Sequence, residues 1–190
     1  MRYIGPDPLP LVVPVAAFSA AVHGIVTPAE EVALADLLAA AQDVVATATN
    51  TPLVPGTYEL TCPLEGWRRW WLPCRPVTAL TALAVSDESG AFVDRDLTGV
   101  TLLQGQDEPQ LLLPEGWANR RDHGRILRAQ VQAGATPPPA LRRAIIALAQ
   151  DWREADISLS PGEAPARSAF GVQRLIRQAR YRRPQITAQA

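Results

Sequence analysis

The chain has no lysine: all 18 of its basic side chains are arginine, set against 19 acids in 190 residues. With alanine and proline also abundant, this is the usage of a GC-rich genome before it is a statement about function. Cysteine and histidine are scarce. Cys62 and Cys74 are the only thiols, His23 and His123 the only imidazoles, and none of the four has ligand spacing. That excludes a zinc site, and no metal is expected. The two thiols are expected to be small buried hydrophobes. There is no Gly-rich phosphate loop, no HExxH, no CxxC and no GxSxG, and the carboxylates do not fall into a pair on one element. His123, in NRRDHGR, is the one candidate general base with charged neighbours, and it reads as a solvated loop histidine. No catalytic residue, enzyme activity or cofactor is therefore expected. Long apolar runs are missing too. No stretch reads as the ~20 residues of a membrane span, and the N-terminus lacks a signal-peptide pattern. The expectation is a chain made and kept in the cytoplasm, or in something assembled there, with no membrane partner.

What is present is a globular composition, 47% hydrophobic and 19% charged, with an uneven charge distribution. Residues 167–190 hold six arginines and no acid, while the rest of the chain holds 12 arginines and 19 acids. A basic tail on an acidic body usually meets something anionic, either nucleic acid or an acidic partner.

Along the chain, a proline-rich lead-in ends at Pro14. A short helix is expected over about 14–24. Thr27-Pro28-Ala29-Glu30 is a helix start with a capping box, and Leu34, Leu37, Leu38, Ala41, Val44, Val45 and Ala48 continue it at helical spacing to about 49. From Asn50 the period becomes two. GTYELTC, RRWWL, PVTALTALAVS, AFV, Val100–Leu103, Gln110–Leu113 and RILRAQVQAG read as five to seven mostly antiparallel strands within about 54–134. Pro137–Pro139 then stop the chain before a helix over about 138–157, with Leu141, Ile145, Leu148 and Trp152 on one side. After a joint at SPGEAPARSAFG, the segment FGVQRLIRQARYRR places Val172, Leu175, Ile176 and Ala179 on one face and Arg174, Arg177, Arg180 and Arg182 around the others. The expected fold class is α+β, mainly α: a helical body over 1–166 with a small antiparallel β-rich insertion, and an extended basic arm over 167–190. LEGW (64–67) and PEGW (114–117) read as two similar turns rather than a repeat.

The stretch GWRRWWLPCRP (66–76) holds three of the five tryptophans. As a strand it puts Trp67, Arg69 and Trp71 on one face and Arg68, Trp70 and Leu72 on the other. Both faces then need cover. Core packing on one side with a neighbouring subunit or partner on the other is one reading, purely intramolecular packing a second, and base stacking a third. The residues singled out for a subunit or partner interface are Trp67, Arg68, Arg69, Trp70 and Trp71.

Four segments together carry a resemblance over roughly 9–183. They are TPAEEVALADLLAAAQDVVATAT followed by GTYEL; WWLPCRPVTALTALAVSDESGAF; VQAGATPPPALRRAIIALAQDWRE; and LIRQARYRR. In order and spacing the chain resembles the head–tail connector, or adaptor, family of long-tailed phages and phage-derived gene transfer agents. It departs from that family in its first helix, which is almost wholly apolar. The resemblance implies a structural subunit of a ring, commonly of twelve, beneath the portal and joining the DNA-filled head to the tail. Implied partners are the portal protein, a stopper or tail-joining protein, other copies of the chain, and duplex DNA passing through the channel without sequence specificity. The implied location is the neck of a virion or gene-transfer-agent particle, assembled in the bacterial cytoplasm. The arm would contact the portal through Val172, Arg174, Leu175, Ile176, Arg177, Arg180, Tyr181, Arg182 and Arg183. The competing reading is a cytoplasmic DNA-binding protein using the basic C-terminal helix.

Overall fold

The computed structural model describes residues 1–24, 27–104, 108–155 and 170–184. Most of the expected joint at 160–171, and the chain after 184, lie outside the described residues. The chain is α+β and divides into two compact units. One contains residues 7–54 and 136–180, and the other residues 1–6, 55–135 and 181–190.

The first unit is helical. α1 (Val15–Ala21) stops short of Gly24 because His23 takes the left-handed conformation, φ 52°. The Gly24 N–H then reaches back to Ser19 O at 3.1 Å, a bond of the kind that satisfies the last carbonyls of a helix. α2 (Pro28–Thr49) begins at the expected cap, where the Glu30 carboxylate accepts from the Thr27 N–H at 3.0 Å and from its hydroxyl at 2.9 Å. It ends on Asn50, also left-handed, with the Thr51 N–H on Ala46 O. α3 (Pro139–Glu154) and α4 (Phe170–Ala179) complete the unit, and both pack on α2. The core is built from Val13, Phe18, Leu34, Leu38, Val45, Leu141, Ile145, Leu148, Trp152 and Val172. Each such side chain contributes about 1.5–3 kcal/mol by leaving water. Two buried residues of α2 are polar, and the Thr49 hydroxyl donates to Val45 O at 2.7 Å. Gln42 accepts from the Val12 N–H at 2.7 Å and donates to Pro10 O at 3.0 Å, pinning the proline-rich lead-in to the helix.

By length and composition α2 could cross a bilayer, which corrects the expectation that no stretch could. Its seven buried residues face this core and its outer side carries Asp36 and Asp43, the pattern of a core helix.

The second unit holds two antiparallel sheets. Five strands run in the order β1 (Arg2–Tyr3), β2 (Gly56–Pro63), β8 (Ile126–Ala133), β4 (Val77–Ser86), β5 (Phe92–Arg95). Three more run β3 (Arg69–Trp71), β7 (Gln110–Leu112), β6 (Thr101–Leu103). β8 shows strict alternation: Leu127, Ala129, Val131 and Ala133 are buried and the residues between them are not. β4 slips register against β8 near Thr78 and Thr81, and each of those hydroxyls donates to a β8 carbonyl, of Gln132 and Gln130. Arg2 and Tyr3, read from the sequence as lead-in, pair with Glu59 and Tyr58 and so form an edge strand. These sheets enclose a core of their own, centred on Leu60, Leu64, Trp70, Leu72, Leu83, Leu111 and Leu127.

Candidate assembly surfaces

The tryptophan-rich stretch does not alternate as a strand from its first residue. Gly66 has φ +79°, and only Arg69–Trp71 pair with β7, Trp70 opposite Leu111. The bend lets Trp67 leave the strand's alternation. Its ring meets Trp70 at 5.9 Å between centroids, and its Nε1 donates to Pro63 O at 2.9 Å. Trp67 and Trp70 therefore share one side, correcting the expected split between faces. Trp70 is 6% exposed and Leu72 is buried beside it in the same core. What remains outside is Arg68, whose guanidinium lies 3.9 Å from Glu115, together with Arg69 and part of Trp71. The Trp71 Nε1 is buried without an acceptor among the described residues. Trp117, after the second Glu-Gly turn, makes the same kind of bond as Trp67, its Nε1 donating to Asp96 O at 2.9 Å. Gly116 repeats the positive φ of Gly66, at +75°.

His123 lies against the Gly66 turn, where an added Cβ would stand 3.3 Å from its Cε1. The charged group that organises NRRDHGR is instead Asp122, which the sequence reading passed over. Asp122 is 3% exposed, accepts from Arg95 NH2 and from the Asn119 N–H, both at 2.9 Å, and has Arg125 at 4.0 Å. The sequence signal was available, since Asn119 and Asp122 have the three-residue spacing of a reciprocal cap.

Both cysteines are free thiols, Cys74 buried and Cys62 half-buried. Burial pushes each from its ordinary 9.0 up to about 12. Among the described residues no group of three or more histidine, cysteine or acidic side chains could hold a metal ion.

The basic C-terminal segment is amphipathic, as its spacing predicts, but its apolar side is occupied within the chain. Val172 is 2% exposed in the helical core, and Leu175, Ile176 and Ala179 pack against the same cluster. Tyr181 is buried in the sheet unit with the Arg75 guanidinium 5.5 Å from its ring centroid. Arg174, Arg177, Arg180, Arg182 and Arg183 are exposed. Of the nine residues singled out for a partner contact, the five arginines are at the surface and the other four are buried or half-buried in the chain itself.

A shallow groove of about 450 Å³ lies on the helical unit, lined by Ala21, Pro139, Arg142, Arg143, Ile146, Ala147 and Gln150.

No protein-family model matches the chain, and no curated protein matches it in sequence. Solved structures do share its fold over nearly its whole length. A chain in the neck of an empty GTA particle, computed with C6 symmetry, has a TM-score of 0.71 and 23% identity, covering 98% of this chain and 97% of that one. A chain in the neck of a native GTA particle, computed with C12 symmetry, gives 0.68 and 22% over the same shares. A chain in the virion of a native gene transfer agent (GTA) particle gives 0.66 and 24%, again over 98% and 97%. This protein therefore has the two-unit fold found in those particle chains.

Proposed function

We propose that this protein is a structural ring subunit of the neck of a phage-like or gene-transfer-agent particle. It acts as the adaptor that sits beneath the portal, extends the DNA channel and presents a surface to a stopper or tail-joining protein. The observation that carries this reading is the end-to-end likeness to chains of GTA necks, covering 98% of this chain. Those necks were computed with C6 and C12 symmetry, which fits a ring of identical copies. The place of action on this reading is the neck, and duplex DNA passes through without sequence readout.

The arm contributes arginines. Guanidinium groups hold carboxylates or phosphates through two parallel hydrogen bonds. Arg174, Arg177, Arg180, Arg182 and Arg183 meet acidic side chains of the portal, while Val172, Leu175 and Ile176 hold the helix that presents the first two and leads into the other three. Arg69 and Trp71 supply a second contact, to a neighbouring copy or to the next ring.

The test is native mass spectrometry of the full chain mixed with the portal protein of the same genome, beside a chain with all five arm arginines changed to glutamine. Cutting the arm off would also remove Val172 from the helical core, so substitution is the cleaner variant. Expected is a discrete complex of many copies per portal ring, lost or strongly weakened in the glutamine variant. A chain that ignores portal but binds duplex DNA, with affinity falling steeply in salt, would overturn the reading and make the arm a nucleic-acid handle.

A further inference from the structure

The ring reading requires each copy to offer two different patches, because contacts around a closed ring are head to tail. The helical unit carries a pair that fits. At 100° per residue, Val32, Asp36, Ala39 and Asp43 fall on one side of α2, opposite its buried stripe of Leu34, Leu38, Ala41 and Val45. That outer side is exposed, Val32 to 71%, and α2 contains four acids and no basic residue. On α3 the same construction sets Arg143, Ile146, Ala147 and Gln150 opposite the buried Leu141, Ile145, Leu148 and Trp152. These outer residues, with Arg142 and Ala21, line the shallow groove, and among the described residues no acid lines it.

α2 and α3 pack on each other through their buried stripes, so the acidic side of one and the basic groove of the other face away from each other. The same two helices thus present opposite charge on opposite sides. The apolar parts match as well. The middle of the acidic face is alanine, which allows close approach, and the groove floor is Ile146 and Ala147. Adjacent arginines splay by about 100° around a helix axis, so Arg142 and Arg143 can straddle a docked helix.

We infer that the acidic outer face of α2 from one copy seats in the Arg142–Arg143 groove of the next copy, and that this contact closes the ring. The partner is a second copy of this chain. The inference rests on the ring reading above.

Two charge-reversed chains test it, Asp36→Arg with Asp43→Arg, and Arg142→Glu with Arg143→Glu. Each is checked for folding by circular dichroism and mixed with the portal ring. Each is expected to lose the multi-copy complex, and a chain carrying all four changes is expected to regain it. An independent arm uses Asp43→Cys with Gln150→Cys and a short bismaleimide. Copies in the assembled ring should cross-link into a ladder of dimers, trimers and higher species, while a chain keeping only its native thiols, Cys74 buried and Cys62 half-buried, should not. Charge-reversed chains that assemble like the wild type, four changes that fail to restore assembly, or assembled rings that give no ladder would each overturn the inference while leaving the ring reading standing. A wild-type chain that never gathers on portal would overturn the ring reading itself.

Discussion

Cys62 and Cys74 illustrate how burial can dominate a side chain's chemistry, outweighing positive charge that acts the other way. A thiol held neutral up to about 12 exposes almost no thiolate near neutrality, and the thiolate is the reactive form. Both thiols should therefore react slowly with a disulfide reagent at pH 8 in the folded chain and rapidly after urea denaturation, as followed by absorbance. The linkage has a definite sign. The folded pKa lies above the unfolded one, so the stability these groups contribute is fully present below pH 9. It is lost as pH rises from 9 towards about 12, where the unfolded chain ionises and the folded chain resists. Urea midpoints measured across that window should fall. Asp122 is the opposite kind of residue, a buried carboxylate that is paired. Asp122→Ala leaves the Arg95 guanidinium and the Asn119 N–H without their acceptor. That should cost about 2–3 kcal/mol in urea unfolding, whereas a loss under about 0.5 kcal/mol, the scale of an ordinary surface substitution, would mean that the pair is incidental.

At the scale of elements, helices were the most legible part of the sequence. The Thr27–Glu30 cap and a buried stripe repeating every three or four residues place α2 at Pro28–Thr49. β8 was legible for the analogous reason, its period of two. Elements whose definition depends on distant partners were less legible. β1 is two residues long and exists only because β2 offers its edge more than 50 residues later. Trp67 changed sides because one glycine with positive φ delayed the start of β3, a backbone event that a count of alternating residues does not see. For α4 the pattern was right, but its apolar side, expected to contact the portal, packs within the chain itself. Amphipathicity says that an apolar side is covered, not by what, and here α2 and α3 cover it. The consequence is measurable. Val172→Ala removes two buried methyl groups and should cost about 1–2 kcal/mol, whereas Arg177→Gln on the exposed side should leave the melting temperature within experimental error.

At the scale of the whole molecule, the sequence indicated a mixed chain with a basic end, and the resemblance supplied the idea of a ring. Period-two segments within about 54–134 read as strands, but which of them pair, such as β2 with β8 across more than 60 residues, was not legible. The assembly reading depends on the entire chain, because the likeness to GTA neck chains covers both units. The most direct test is electron microscopy of the full chain bound to the portal of the same genome, with symmetry determined from class averages without imposing it. The account predicts an added ring of identical copies beneath the portal, with sixfold or twelvefold symmetry. Portal rings that stay bare at saturating concentrations of the folded chain would contradict it.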